Sequence, residues 1–441
     1  MPDFSPFMIA RVQMALTLGY HIILACFGVG LPVLLMVVEW KYLKTGNIIW
    51  KTLAQRWAKV FAVLFGVGAI SGTVLSFELG LLWPKFMGTF GAVIGLPFSL
   101  EAFAFFMEAI FVGIYLYGWD KLSPKAHWLT SIPIVISGFA SAWFVVTANA
   151  WMNSPQGFVL ENGIATQINP WEAMLNPSTG AQTAHMIIAA YMVSGFGIAS
   201  IYAFTKLKGR WSQYHQKAMV TGLILGIVFT PLQMMVGDWS AKVVATTQPI
   251  KLAAMEGQFE TKSFAPLRIG GIPDEKSQST PYSLEIPGLL SWLSYGDFNA
   301  EVKGLKDFPS ELHPPVAVVH IAFQIMVAIG FFLFLLSVIS IIAWVKNKRL
   351  PQNKLYVGSV ALSGILSILA LQAGWIVTEV GRQPWIVYNV MKTSEAVTDS
   401  PGILYVFIAT LAIYTILSVG LFFVLRALAK RPLPQGVIDH G

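Results

Sequence analysis

The sequence predicts an all-α integral membrane protein with nine transmembrane helices, its amino terminus outside and its carboxyl terminus cytoplasmic. Three observations carry that expectation. Hydrophobic residues make up 55% of the 441-residue chain and charged ones only 12%, about half the charged share of soluble domains. The apolar residues gather into runs of roughly twenty or more, each long enough to cross a bilayer. Lys and Arg are also unevenly shared: 18 of the 29 fall in the short connections 40–59, 119–127, 206–217 and 346–354 and the tail after 425, which alternate onto one side of a nine-span chain. Short basic connections face the cytoplasm.

The first span, 8–39, follows Ser5 and Pro6, a capping residue and a proline suited to a first helical turn. It holds the single cysteine, Cys26, which can form no internal disulfide and reads as a small buried hydrophobe. The preceding MPDFSPF lacks the basic and short apolar pattern of a removable signal peptide. Spans follow at 59–80, 92–118, 128–150, 183–205 and 218–238. The segment 239–313 is the one large polar insertion; a loop of that length in a compact protein is functional or mobile as a rule. Two prolines, Pro314 and Pro315, precede the seventh span at 315–345. The eighth, 355–380, stops at Gly381, and the ninth covers 402–425. The chain thus divides into six helices over 1–238, an extracytoplasmic loop over 239–313 and three helices over 314–441. No internal repeat, low-complexity tract or second soluble domain is apparent. The net charge of +7 follows topology rather than nucleic-acid binding.

The most informative stretch is GWIVTEVGRQPW, 374–385. An apolar helix presents Glu379, breaks at Gly381 and supplies Arg382 and Gln383; ionisable groups at membrane depth are expensive and mark functional sites. His21, His185, Met326 and Glu379 are potential metal ligands that can reach one outer layer of the membrane, counted at about 1.5 Å rise per residue. His, Met and carboxylate in a dry site suit haem iron. Each has a plainer reading: an interfacial or carbonyl-bonded histidine, a core methionine among 16, an ion pair of Glu379 with Arg382 at the headgroup boundary. On the residues alone the two readings stand level.

Glu101 and Glu108 share a face of the third span, since seven residues return to within about 20° of one direction, roughly 10 Å along the axis. They read as proton relays or ligands of a buried centre, against a pair of protonated acids that merely pack. Trp375, one turn before Glu379, stacks on a macrocycle, carries an electron or simply packs. Gly19 near His21 admits a macrocycle or eases helix packing. Asn149 at the end of the fourth span holds a propionate or only caps a helix end. In the loop, KLAAMEGQFET places Lys251 and Glu256 beside an apolar patch, able to hydrogen-bond a quinol and take its protons; an ordinary amphipathic segment would look the same.

At this point the chain resembles subunit I of the cytochrome bd quinol oxidases over nearly its whole length. The motifs are RVQMALTLGYH, EAFAFFMEAIFVG, AHMIIAAYMVSGF, QPIKLAAMEGQFET, FQIMVAIG and GWIVTEVGRQPWIVYNVMKTSEAVT, in the family's order. The resemblance implies two haem b and one haem d. His185 and Met326 would ligate the low-spin haem b, His21 the haem d and Glu379 the high-spin haem b. Glu101 and Glu108 would lie on the proton route, Arg382 would offset anionic charge, and Lys251 with Glu256 would serve quinol oxidation.

It further implies a bacterial cytoplasmic-membrane quinol oxidase that takes electrons from quinol outside and reduces dioxygen to water with cytoplasmic protons, building a membrane potential without pumping. A second membrane subunit, with room for a very short single-span one, would complete it. Two departures stand out: the loop is short against the family's long-loop branch, and Gln324 stands where better-known relatives carry Arg, two residues before Met326. A neutral amide there implies a lower potential for the low-spin haem. Two rival classes remain, a b-type cytochrome that only relays electrons from quinol and a proton-coupled secondary transporter. The first needs no open high-spin site, and the second does not account for a His/Met pair or show repeated halves.

Overall fold

A computed structural model describes residues 5–434 and 437. Among these, nine helices are long and apolar enough to cross a membrane. They are α1 (Pro6–Thr45), α2 (Ile48–Leu82), α3 (Pro84–Tyr117), α4 (Pro124–Asn153), α6 (Thr179–Leu207), α7 (Gln213–Thr247), α10 (Val316–Asn347), α11 (Lys354–Val380) and α13 (Ile403–Lys430). Between α4 and α6 lie a hairpin, β1 (Val159–Glu161) with β2 (Ile164–Thr166), and a short α5 (Pro170–Met174). Four helix starts follow local chemistry: Ser5, Asn47, Ser123 and Asn353 each accept a backbone N–H of the first turn through their side chains.

All nine expected spans are present, yet most helices run past the apolar stretch. α2 begins at Ile48 rather than 59, and α7 continues to Thr247 rather than 238. A helix keeps its backbone bonds outside the hydrocarbon, and Lys and Arg there extend their heads to water while their stems stay on apolar surface. Residues 48–58, expected as connection, are therefore the first three turns of α2.

The large polar insertion is built rather than loose. It holds α8 (Pro249–Glu256), α9 (Leu289–Tyr295), β4 (Leu267–Gly270) paired antiparallel with β5 (Ser283–Ile286), and β3 (Lys262–Ser263) paired with β6 (Glu301–Val302). After α11, β7 (Trp385–Val387) pairs with β8 (Met391–Lys392), followed by α12 (Thr393–Ala396). By alternation of the helices, every strand among the described residues lies on one face, the loop face, opposite the basic connections.

α6 is the hub of the helix packing. Its Gly195 approaches α7 so closely that an added Cβ would stand 2.5 Å from the Gly226 nitrogen. Gly30 of α1 meets Ser194, and Gly364 of α11 meets Ser200, whose hydroxyl donates to the Ala361 carbonyl. Ser194 donates to the Cys26 carbonyl at 3.0 Å, and Cys26 itself is fully buried, as a small hydrophobe would be. Small residues let backbones approach where lipid offers no hydrophobic drive between helices.

Replacing Gly195 by Val is expected to destabilise the fold by ~1–3 kcal/mol, the usual cost of overpacking. Gly330→Ala, which meets nothing within 4 Å, is the matched control. Thermal unfolding in detergent checks this; equal midpoints for the two variants would contradict the hub.

Candidate functional site

Helices α1, α2, α3, α4, α6 and α11 enclose an apolar cavity of about 600 Å³. His21, Glu101, Glu108, Asn149, Trp375, Glu379 and Arg382 all line it. His21 enters from α1, with its Nδ1 2.9 Å from Ser71 Oγ of α2. The Ser71 hydroxyl also lies 2.9 Å from the Gly68 carbonyl; with its proton there, Nδ1 donates to Ser71 and Nε2 keeps the lone pair that a metal requires. Gly72 makes room: a Cβ there would lie 2.9 Å from the ring.

Glu379, in the last turn of α11, is held from two sides. Asn149 Nδ2 donates to its Oε1 at 2.5 Å and Arg382 Nη2 to its Oε2 at 2.6 Å. The Arg382 side chain is 2% exposed, and its Nε and Nη1 have no partner among the described residues. On α3, Glu101 accepts from Ser141 at 3.1 Å, while Glu108 Oε1 is buried without a partner. Gly138 of α4 leaves the space that Glu108 fills, since a Cβ there would stand 3.3 Å from its Oε1.

The Glu379 cluster extends into the loop. Asn153 Nδ2 donates to Asn149 Oδ1 at 3.2 Å and to its carbonyl at 3.0 Å. Asn153 Oδ1 in turn accepts from Lys251 Nζ at 2.7 Å and Gln248 Nε2 at 3.2 Å. Lys251 is 3% exposed. Burial, with Arg382 nearby, pulls its pKa well below the usual lysine value against the opposing pull of Glu379. Its stem lies on Gly381, where a Cβ would be 3.1 Å from Lys251 Cγ. Gly381 has φ −67°, so the glycine serves close approach rather than backbone conformation.

Lys251 and Glu256 do not share one pocket. Five residues turn a helix by about 140°, so α8 sends Lys251 toward Asn153 and Glu256 toward Arg268. Burial pushes the Glu256 carboxyl up to about 8 against the pull of Arg268, and its Oε2 has no partner. His185 and Met326 stand apart from the cavity. His185 faces α7, with Gln233 Nε2 3.1 Å from its Nε2 and its Nδ1 buried and unpartnered. Met326 Sδ faces Gly374 of α11, 3.1 Å from where a Cβ would stand. Gly19 faces Gln372, whose amide donates to the Gly19 carbonyl at 2.7 Å, and a Cβ there would meet that side chain in ordinary contact at 3.5 Å.

Gln324 is a clamp. Its Oε1 accepts the Gly270 N–H and its Nε2 donates to the Arg268 carbonyl, both at 3.0 Å. One turn earlier, His320 reaches the Met255 and Gly270 carbonyls at 2.8 and 3.0 Å. Together they fasten β4 and α8 to α10. The sequence reading passed over Asn153, Ser71, His320 and Arg11, which lines the cavity. Asn153 had one signal, the spacing of four that sets it on the face of Asn149.

These donors suit haem. Among the described residues no three His, Cys, Asp or Glu side chains gather as metal ligands. A lone imidazole and a lone carboxylate around an apolar chamber match a group that brings its own equatorial nitrogens. The free Arg382 nitrogens match its carboxylates.

A family model described as cytochrome bd terminal oxidase subunit I matches residues 9–433. The chain is 38% identical over 425 residues to the putative cytochrome bd menaquinol oxidase subunit I of Bacillus subtilis (strain 168), covering 95% of each. It is 32% identical to the cytochrome bd ubiquinol oxidase subunit 1 of the same organism, over 95% of this chain and 92% of that one. The solved structure of bd oxidase from Geobacillus thermodenitrificans superposes with a TM-score of 0.90 at 39% identity, covering 98% of this chain and 100% of that one.

The Glu256 environment gives a pH prediction. A carboxyl raised to about 8 from 4.5 favours the folded loop while protonated. That contribution is full below 4.5 and is lost as pH rises through about 8. Glu256→Gln is expected to flatten this fall in stability between pH 4.5 and about 8, read by hydrogen exchange across residues 248–313. An unchanged slope over that window would count against it.

Proposed function

The chain belongs to the cytochrome bd terminal oxidase subunit I family, and from that premise we propose how its residues serve quinol oxidation and oxygen reduction. As a member of that family it is a haem-containing subunit of a multi-subunit terminal quinol oxidase, a multi-pass protein of the bacterial cytoplasmic membrane. The observation that supports the detailed reading best is the single chamber lined by His21, Glu101, Glu108, Trp375, Glu379 and Arg382.

The cofactor set proposed is two haem b and one haem d. His185 and Met326 would hold the low-spin haem b, and His21 and Glu379 the two high-spin haems. Bound haem supplies electron relay and oxygen binding; the protein supplies ligands, spacing and local field. Ser71 fixes the His21 ring so that Nε2 is free toward the iron. Asn149 and Arg382 hold both oxygens of Glu379, and the remaining Arg382 nitrogens bind a haem carboxylate. Trp375, on the chamber wall, packs against the macrocycle.

Quinol binds at the loop face between α8 and its surroundings. Glu256 Oε2, unpaired, takes a hydroxyl proton when ionised, and Lys251, on a different side of α8, serves as a hydrogen-bond donor. Glu108 and Glu101 pass protons from the basic face toward the chamber, the Ser141 hydroxyl steadying Glu101. With 18 of 29 Lys and Arg on the opposite face, that face is cytoplasmic and the loop face is outside. Drawing electrons and protons from opposite faces separates charge, each unit working against about 2.3 kcal/mol per 100 mV, and no pumping step is needed. A second membrane subunit, with a very short single-span one, completes the assembly.

A dithionite-reduced minus oxidised spectrum of the purified oxidase is expected to show a chlorin band well to the red of the b bands. His185→Ala and Met326→Leu are expected to remove the low-spin signal and keep carbon monoxide binding; loss of both together would overturn the ligand division. Gln324→Arg is expected to raise the low-spin midpoint by placing positive charge near that haem, and a redox titration without an upward shift would contradict this.

A further inference from the structure

We propose that Asn153 is a positioning residue that ties Lys251 of the loop to the Glu379 carboxylate, so that the quinol side and the iron side share one hydrogen-bonded frame. This rests on the functional reading above.

The direction of the bonds carries the inference. Lys251 donates to Asn153, Asn153 donates to Asn149, and Asn149 donates to Glu379, at 2.7, 3.2 and 2.5 Å. Every donor points the same way, toward the carboxylate, so the amide dipoles add rather than cancel, and aligned hydrogen bonds polarise one another in a low-dielectric interior. Asn153 sits at the turn of this chain. Its oxygen serves the loop and its nitrogen serves the membrane span, and at 2% exposure it has little water to substitute for either. The amide does both, whereas a carboxylate cannot donate and an alkyl group can do neither. Residue 153 also lines a loop-face cleft with Thr247, Tyr388 and Asn389, so the junction lies where the buried chain meets the exterior.

The two halves of the amide separate by mutation. Asn153→Asp keeps an acceptor for Lys251 and removes the donor to Asn149; Asn153→Leu removes both. Gln248 Nε2 also donates to the Asn153 carbonyl at 2.7 Å, a backbone bond that either variant retains, so α8 stays docked. In the complete oxidase with its partner subunits, Asn153→Leu is expected to raise the quinol KM about tenfold, the factor that one charge-assisted hydrogen bond carries, and to shift the high-spin haem midpoint. Asn153→Asp is expected to hold KM near wild type while lowering that midpoint. The low-spin band reports folding in each case, and if Asn153→Leu loses it, Asn153→Asp decides on the midpoint alone. A high-spin midpoint at its wild-type value in folded Asn153→Asp overturns the inference. Lys251→Met with unchanged quinol KM sinks the quinol assignment of Lys251 instead, and takes this inference with it.

Discussion

Hydrocarbon offers no hydrogen bonds, so each polar group below the loop face must find its partner inside the protein. The structure obeys this constraint through dedicated pairs. Glu379 has Asn149 and Arg382, His21 has Ser71, Glu101 has Ser141, and Glu78 of α2 accepts from Gln13 and Thr17 at 2.8 and 2.9 Å. Against that background the unpaired atoms gain meaning. The free nitrogens of Arg382, the Nδ1 of His185 and the Oε2 of Glu256 are buried and unpartnered. They are among thirteen such atoms in the described residues, and the Arg382 nitrogens and Glu256 Oε2 are the ones that the proposed function assigns to haem and quinol.

The same constraint explains why the loop is built onto the helices. Strand β4 would otherwise present bare backbone beside the end of α10. His320 and Gln324, one turn apart, cap it with three bonds to Arg268 and Gly270. A neutral amide at 324 therefore has a mechanical reason, since it both donates and accepts, whereas a guanidinium could only donate.

Much of this was legible in the sequence, and the reasons are specific. The nine spans were readable because runs of apolar residues of that length have few other uses. Their ends were not, because a helix has no reason to stop where the hydrocarbon does; Lys51, Arg56 and Lys59 lie within α2 while looking like connection. Glu379, Arg382, Glu101 and Glu108 announced themselves by the cost of charge at depth. Asn153 and Ser71 did not, because a small polar residue near a helix end or among glycines is ordinary. Lys251 and Glu256 were seen together since they are close in sequence, but the helical period sends them to different neighbours. The grouping of His21, His185, Met326 and Glu379 in one layer is resolved by the structure into a chamber with His21 and Glu379, and separate surroundings for His185 and Met326.

Helix α11 connects those two surroundings. Gly374 faces Met326, the next residue Trp375 faces the chamber, and Glu379 lies one turn further along the chamber wall. Successive residues on a helix point about 100° apart, so a single turn can carry the contact surface of one centre on one side and of the other on the next. The bare Gly374 lets Met326 press against the helix axis, which leaves little more than one helix between the thioether and the chamber. With haems at Met326 and in the chamber, as proposed above, electron exchange would gain from a thin partition, and one that is fixed at both ends keeps its thickness constant. α11 is fixed in that way, by Gly364 packed against Ser200 of the α6 hub toward the basic face and by the Arg382, Asn149 and Asn153 chain at the loop face.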